Sequence, residues 1–227
     1  MRVLLIALLL STAASAQPVD DLAHAAARIH NLQTLVLMLS AVIIVMLLFL
    51  GLRLTRDARR LRNLAMTDAL TRLPNRQHLI AVAEELLDQS YATHQPLSLI
   101  AFDIDHFKQI NDRYGNAIGD QVLQRVARTC RLTLRPSDRI GRSGGEEFIV
   151  VLPVTREQPA LSVAIRLRVA VEMLPFDDID PALQVTISLG LAERTSTDTL
   201  ATLTARADER LHQAKEGGRN RVIPAPG

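Results

Sequence analysis

Residues 35–54 carry a single charged side chain, Arg53, in an otherwise uncharged and strongly apolar stretch. In a helix rising 1.5 Å per residue, about 20 residues match the hydrocarbon thickness of a bilayer. A helix that packs on a soluble core keeps a polar stripe for water, and this stretch has none. A transmembrane helix is therefore expected over residues 34–54, and any soluble fold must be built on one side of it.

The flanks orient that helix. Arg53, Arg56, Arg59, Arg60 and Arg62 follow it against a single Asp57, whereas residues 17–33 hold Asp20, Asp21 and only Arg28. Arginine and lysine accumulate on the cytoplasmic side, so the C-terminal part is expected there. Before the span, Met1-Arg2, the apolar run Val3 to Leu10 and Ala14-Ser15-Ala16 read as a cleaved signal peptide over residues 1–16, with an uncleaved first anchor as the alternative. Residues 17–33 then form a short periplasmic segment, too small for a core or an outside sensor domain. Residues 55–66 contain no Pro or Gly and continue as a helical stalk that could pair two chains.

The formal net charge of +2 comes largely from the juxtamembrane arginines, which suit anionic headgroups without any nucleic-acid partner. Aromatic residues make up 3% of the chain, too few for a base-stacking platform, so no DNA or RNA polymer is expected. A single cysteine, Cys130, excludes an intramolecular disulfide and a cysteine-based zinc cage. It continues the helical stripe Val122, Val126 and reads as core.

Residues 67–227 alternate helix and strand patterns with short turns, as one mixed α/β (α+β) domain does. An apolar strand, Leu97 to Phe102, runs into Asp103-Ile104-Asp105 and places both aspartates on one face by its period of two. A helix over 118–134 leads to strands 138–142 and 148–152, joined by Ser143-Gly144-Gly145 as a hairpin whose tip is expected to need glycine's backbone freedom. A helix over 160–174, a strand over 185–191, a helix over 200–215 and a short strand over 221–223 follow.

Gly144-Gly145-Glu146-Glu147-Phe148 sets two adjacent carboxylates at that tip. At about 5% usage per residue, the pentapeptide arises by chance in roughly one in ten thousand chains of this length. Magnesium takes one or two protein carboxylates together with substrate phosphates, and clustered carboxylates are costly without a cation. Asp103, Glu146 and Glu147 suit that role if their two strands are neighbours. Taken singly, Asn111 could equally cap a turn and Asp120 could be an ordinary residue early in a helix.

These blocks, taken in order, resemble the GGDEF family of diguanylate cyclases. The likeness spans Asp68 to Val222. It includes Asp68-Ala-Leu-Thr-Arg-Leu-Pro-Asn-Arg76, Phe102 to Asp112 with Tyr114-Gly115 and Gly119-Asp120, the Gly-Gly-Glu-Glu-Phe variant of the hairpin, Thr186-Ile-Ser-Leu-Gly190, and Ala214-Lys215 with Gly218-Arg-Asn-Arg221. The resemblance implies a mixed central sheet flanked by helices, akin to the palm of nucleotidyl cyclases and polymerases, preceded here by one transmembrane helix in a bacterial inner membrane.

It further implies condensation of two GTP molecules into cyclic di-GMP and two pyrophosphates by a homodimer in which each subunit holds one GTP. Two magnesium ions per site, replaceable by manganese, would be bound by Asp103, the Ile104 carbonyl, Glu146 and Glu147. Glu146 would also accept the proton of the attacking hydroxyl, and Glu147 and Lys108 would complete the catalytic set. Asn111 and Asp120 would read guanine. Lys108, Lys215, Arg219 and the backbone of Gly144 and Gly145 would hold the phosphates. Arg135 and Asp138, in an RxxD pattern, would form a product-inhibition site with Arg166, which reads equally as surface.

The chain departs from the family at Arg72, where glycine is frequent, at Asn116 for histidine, at Arg210 and His212 for alanine and tyrosine, and at Ser143. None is a proposed ligand. The competing function is a non-catalytic receptor for cyclic di-GMP or GTP at the membrane.

Overall fold

The computed structural model describes residues 28, 30–53 and 66–224. The signal peptide expected over 1–16, most of the 17–33 segment and nearly all of the stalk expected over 55–66 lie outside the described residues. The chain separates into two compact units, Met1–Arg62 and Asn63–Gly227.

The first unit contains helix α1 (His30–Arg53), long and apolar enough to cross a membrane. It begins ahead of the apolar run because His30, Asn31 and Gln33 are polar without being helix breakers. Its apolar side chains, such as Val36, Met46 and Phe49, all point outward, which is costly in water and favourable in lipid.

In the second unit the order is α2 (Arg76–Ala92), β1 (Leu97–Ile104), α3 (Phe107–Tyr114), α4 (Asn116–Thr133), β2 (Arg139–Arg142), β3 (Glu147–Pro153), α5 (Glu157–Glu172), β4 (Ile187–Glu193), α6 (Leu200–Glu216) and β5 (Val222–Ile223). The five strands form one mixed sheet in the order β2-β3-β1-β4-β5. Every pairing is antiparallel except β4 with β5. The expected elements are present, and α2 and α3 are additional. Strand β4 starts at Ile187 rather than 185, although the bond from Asp105 N to the Thr186 carbonyl carries the same register one pair further.

All of β1 is buried, since helices cover both sheet faces. On one face Ile100, Phe102 and Ile104 pack with Phe148, Val150 and Leu189 beneath α4 and α5, where the fully buried Cys130 lies. On the other face Leu99, Ala101 and Val151 meet Ala83 and Leu87 of α2 and Leu203 and Ala207 of α6. Helix ends are set locally. Asn75 accepts from His78 N at 2.9 Å to cap α2, and Thr199 with Thr202 forms a capping box for α6. Gly115, at φ +85°, joins α3 to α4 in a conformation that suits glycine.

Candidate active site

The register of β1 against β3 builds the site. Phe102 faces Phe148, and their rings stack with centroids 5.0 Å apart, an arrangement that adds about 0.5–1.5 kcal/mol beyond burial. The next pair along is Asp103 with Glu147. A slip of either strand by one residue would send its carboxylate to the opposite face, so the stacked phenylalanines and the buried strand fix the acidic pair. Glu146 precedes β3, and its carbonyl accepts from Ile104 N at 3.4 Å. The strands carrying the expected metal residues are therefore neighbours.

Asp103 is 4% exposed. Burial pushes its carboxyl up to about 6; a hydrogen bond and charge from Lys215 oppose that rise, and the charges of Glu146 and Glu147 add to it. Lys215 Nζ lies 2.8 Å from Asp103 Oδ2, which places the last turn of α6 against the end of β1. Among the described residues no group of three His, Cys, Asp or Glu side chains is gathered closely enough to hold a metal ion. The donors nevertheless fit magnesium. A buried carboxylate beside two others calls for a cation, and this metal needs only one or two protein carboxylates when phosphate oxygens supply the rest.

The glycines act differently from expectation. Among the described residues only Gly115 and Gly218 have positive φ among glycines, so the Gly144-Gly145 tip does not depend on left-handed backbone. Gly144 instead leaves room for the Glu147 carboxylate, 2.8 Å from where a Cβ would stand, and Gly145 faces open space on which a ligand can close directly.

Asn111 on α3 and Asp120 on α4 are brought together through Gly119. A Cβ at Gly119 would lie 1.8 Å from Asn111 Oδ1, so the bare glycine lets the carboxamide rest against α4. Asp120 is exposed, as is Lys108 near the start of α3. Lys215 and Arg219 are half-buried at the end of α6 and in the turn after it. Arg135 is committed locally: its Nε donates to Asp138 Oδ1 at 2.7 Å, and its Nη2 donates to the Pro153 carbonyl and Thr155 Oγ1 at 2.9 and 2.6 Å. Asp138 is buried beneath it, and Arg166 is exposed on α5.

Residues that the sequence did not single out shape the hairpin. Arg142 Nε donates to the carbonyls of Gly144 and Gly145 at 3.2 and 3.0 Å, while its Nη1 donates to Asp68 Oδ1 at 3.1 Å. An arginine at a strand end gives no sign of a partner so distant along the chain. A cavity of about 660 Å³ lies between α2 and α6. Glu147, Ser143 and Lys215 line one part of it, but Asn111, Asp120 and Lys108 do not. It is therefore a groove beside the acidic pair, apart from Asn111 and Asp120.

Comparison with known proteins adds the following. Residues 65–221 match the family described as "Diguanylate cyclase, GGDEF domain". The chain is 39% identical over 161 residues to the diguanylate cyclase DgcP of Pseudomonas aeruginosa, covering 71% of this chain and 24% of that protein. It is 39% identical over 170 residues to DgcM of Escherichia coli, covering 75% of this chain and 41% of that protein. The chain thus spans well under half the length of these relatives. The crystal structure of the GGDEF domain of DgcB from Caulobacter crescentus in complex with c-di-GMP superposes with a TM-score of 0.67 at 32% identity, covering 70% of this chain and 95% of that one.

Proposed function

This chain belongs to the GGDEF family of diguanylate cyclase domains, and from that membership we propose that it is a membrane-anchored diguanylate cyclase acting as a homodimer. The observation that carries this reading is the cross-strand pairing of Asp103 with Glu147 beside Glu146, with Lys215 on the buried carboxylate. Helix α1 supports a single span, with the second unit on the cytoplasmic side of a bacterial inner membrane.

In the proposed reaction the 3′-oxygen of one GTP attacks the α-phosphorus of the other, the bond to the β-phosphate oxygen breaks, and pyrophosphate leaves. A second, equivalent step closes the ring. Asn111 offers a donor and an acceptor to the guanine edge, and Asp120 accepts from its N–H groups. Lys108, Lys215 and Arg219 hold the triphosphate, with the backbone at Gly144 and Gly145 approaching closely. Glu146 accepts the 3′-hydroxyl proton. Asp103, the Ile104 carbonyl, Glu146 and Glu147 are the groups that would hold two magnesium or manganese ions, which when bound stabilise charge on the attacking and leaving oxygens. Lys215 moves from Asp103 to phosphate as the substrate arrives.

Arg135, Asp138 and Arg166 form the proposed inhibitory site for cyclic di-GMP. Arginine matches guanine and phosphate by stacking and by paired donors, and Arg135 still has about half of its side chain exposed above its local bonds.

The test uses the full-length protein in nanodiscs with GTP and magnesium, with chromatographic detection of cyclic di-GMP. The wild type is expected to make the dinucleotide, Glu147→Gln to make almost none, and Arg135→Ala to escape inhibition by added product. Absence of product from a dimeric wild-type sample that still binds cyclic di-GMP would replace the enzyme by the receptor reading.

A further inference from the structure

Three consecutive residues after α6, Gly218, Arg219 and Asn220, have φ of +112°, +62° and +44°. Glycine takes such backbone freely and asparagine more readily than most residues, whereas arginine, and three such residues in succession, need surroundings that hold them. The hold is visible. Asp105, just past the end of β1, is 4% exposed, and its Oδ2 accepts from Asn220 N at 3.0 Å and from Thr186 Oγ1 at 2.7 Å. Its Oδ1 accepts from Ser188 Oγ at 2.7 Å.

The outer side of the same turn is also tied. Asn220 Nδ2 donates to Glu172 Oε1 at 2.7 Å, and Arg168 Nη1 donates to Asn220 Oδ1 at 2.8 Å. Arg168 also pairs with Glu172 at 2.7 Å. The Asn220 and Arg168 bonds hold the Glu172 carboxyl below its ordinary value. Arg219 N donates to the Ala214 carbonyl, and Leu189 N to that of Arg221, so the turn is anchored to α6, to β4 and to the tip of β1 at once. Strain of this kind, held in one place from several sides, marks a segment whose direction matters.

We propose that Asp105 is a positioning residue: it locks the left-handed 218–220 turn and thereby aims Arg219 at the triphosphate of GTP. This rests on the reading of Arg219 as a phosphate-holding residue. Asp105 touches no substrate itself. Its effect falls mainly on the phosphate end of the ligand, because the Asp105 carboxylate bonds Asn220, Thr186 and Ser188 and no residue of α3 or α4, the helices that carry Asn111 and Asp120.

The experiment measures binding of GTP and of guanosine to the full-length protein in detergent with EDTA present, which removes turnover and any metal contribution. Wild-type protein is expected to prefer GTP. Asp105→Ala should weaken GTP about tenfold, the loss of one charge-assisted contact, and leave guanosine within about twofold. Adding Asn220→Gly to that variant should restore much of the GTP affinity, because glycine adopts the turn without the anchor; a carboxyl needed only for packing would not be rescued there. Thr186→Val, which removes one donor to Asp105, should show the same selective loss in smaller measure and serves if Asp105→Ala does not fold. Equal losses for both ligands, or no rescue by Asn220→Gly, would overturn the positioning role. A wild type without preference for GTP would overturn the phosphate reading of Arg219 first.

Discussion

Arg142 and Asp68 form an ion pair at 3.1 Å, with both side chains at most a quarter exposed. The same guanidinium holds the carbonyls of Gly144 and Gly145, and Arg142 N donates to the Pro74 carbonyl at 3.0 Å. The segment that begins the second unit is thus fastened to the tip of the acidic hairpin. Misplacing a reacting group by about 1 Å costs on the order of 100-fold in rate. Arg142→Ala is therefore expected to lower kcat for cyclic di-GMP formation by about two orders of magnitude. Circular dichroism should show the fold retained, and Arg142→Lys should not restore the rate, because one ammonium cannot serve three acceptors in a plane.

That clamp has a pH signature. Burial raises the Asp68 carboxyl, but hydrogen bonds from the Thr71 hydroxyl and amide and the Arg142 guanidinium outweigh it and hold the group below its ordinary 3.8. A carboxyl lowered in the folded state contributes stability that is fully present above the ordinary value and disappears as pH falls through the lowered one. Thermal unfolding of the wild type should therefore lose stability on acidification below about pH 4. Asp68→Asn should start lower at neutral pH and show a shallower acid slope.

Gly119 keeps Asn111 in place by having no side chain. A methyl at that position must displace the carboxamide, the movable partner. Gly119→Ala is expected to raise the KM for GTP about tenfold, the size of one lost directional bond, with a smaller change in kcat. Steady-state kinetics on the purified variant separates the two constants.

Gly190 lets the backbone of α6 settle directly on β4. A Cβ there would lie 2.0 Å from the Ala207 carbonyl oxygen and 2.3 Å from Leu211 N, both backbone atoms of α6. Neither can rotate away, so the helix itself must shift. Gly190→Ala should cost about 3 kcal/mol or more, the upper range for overpacking, read as a fall in urea midpoint. Lys215 sits on the same helix, so activity should fall with it.

Arg72 has φ +60°, left-handed backbone that glycine takes without strain. Arg72→Gly is expected to stabilise the protein by about 0.5–1 kcal/mol, the strain released less the entropy glycine loses on folding. Chemical denaturation measures the gain directly.

Much of this was legible along the chain. The long apolar helix α1 follows from length and apolarity, which are additive along the sequence. The strand ending at Asp103 and the acidic hairpin follow from alternation and from a pentapeptide too improbable to be incidental. Helices α2 and α3 were less apparent. Helix α2 buries only Leu79, Ala83, Leu87 and Ser90, a thin stripe, and α3 is too short for a period to show. The start of β4 is blurred in the sequence because Val185 and Thr186 have the same β-favouring character as the strand they lead into. A glycine pair at a hairpin tip suggests a backbone requirement, whereas Gly144 supplies room for Glu147 and Gly145 faces open space.

By itself, the sequence determined which chemistry the chain carries: acidic and basic side chains in a fixed order behind a long apolar run. Those properties belong to residue types and near neighbours, so local physics reports them. Only the tertiary structure decided that Asp103 stands opposite Glu147, that Lys215 neutralises it, that Arg142 fastens the hairpin to Asp68, and that Asp105 holds the turn carrying Arg219. Each of these relations joins groups far apart in the chain, set by strand register and by how closely helices settle on the sheet, and both emerge only when the whole core packs.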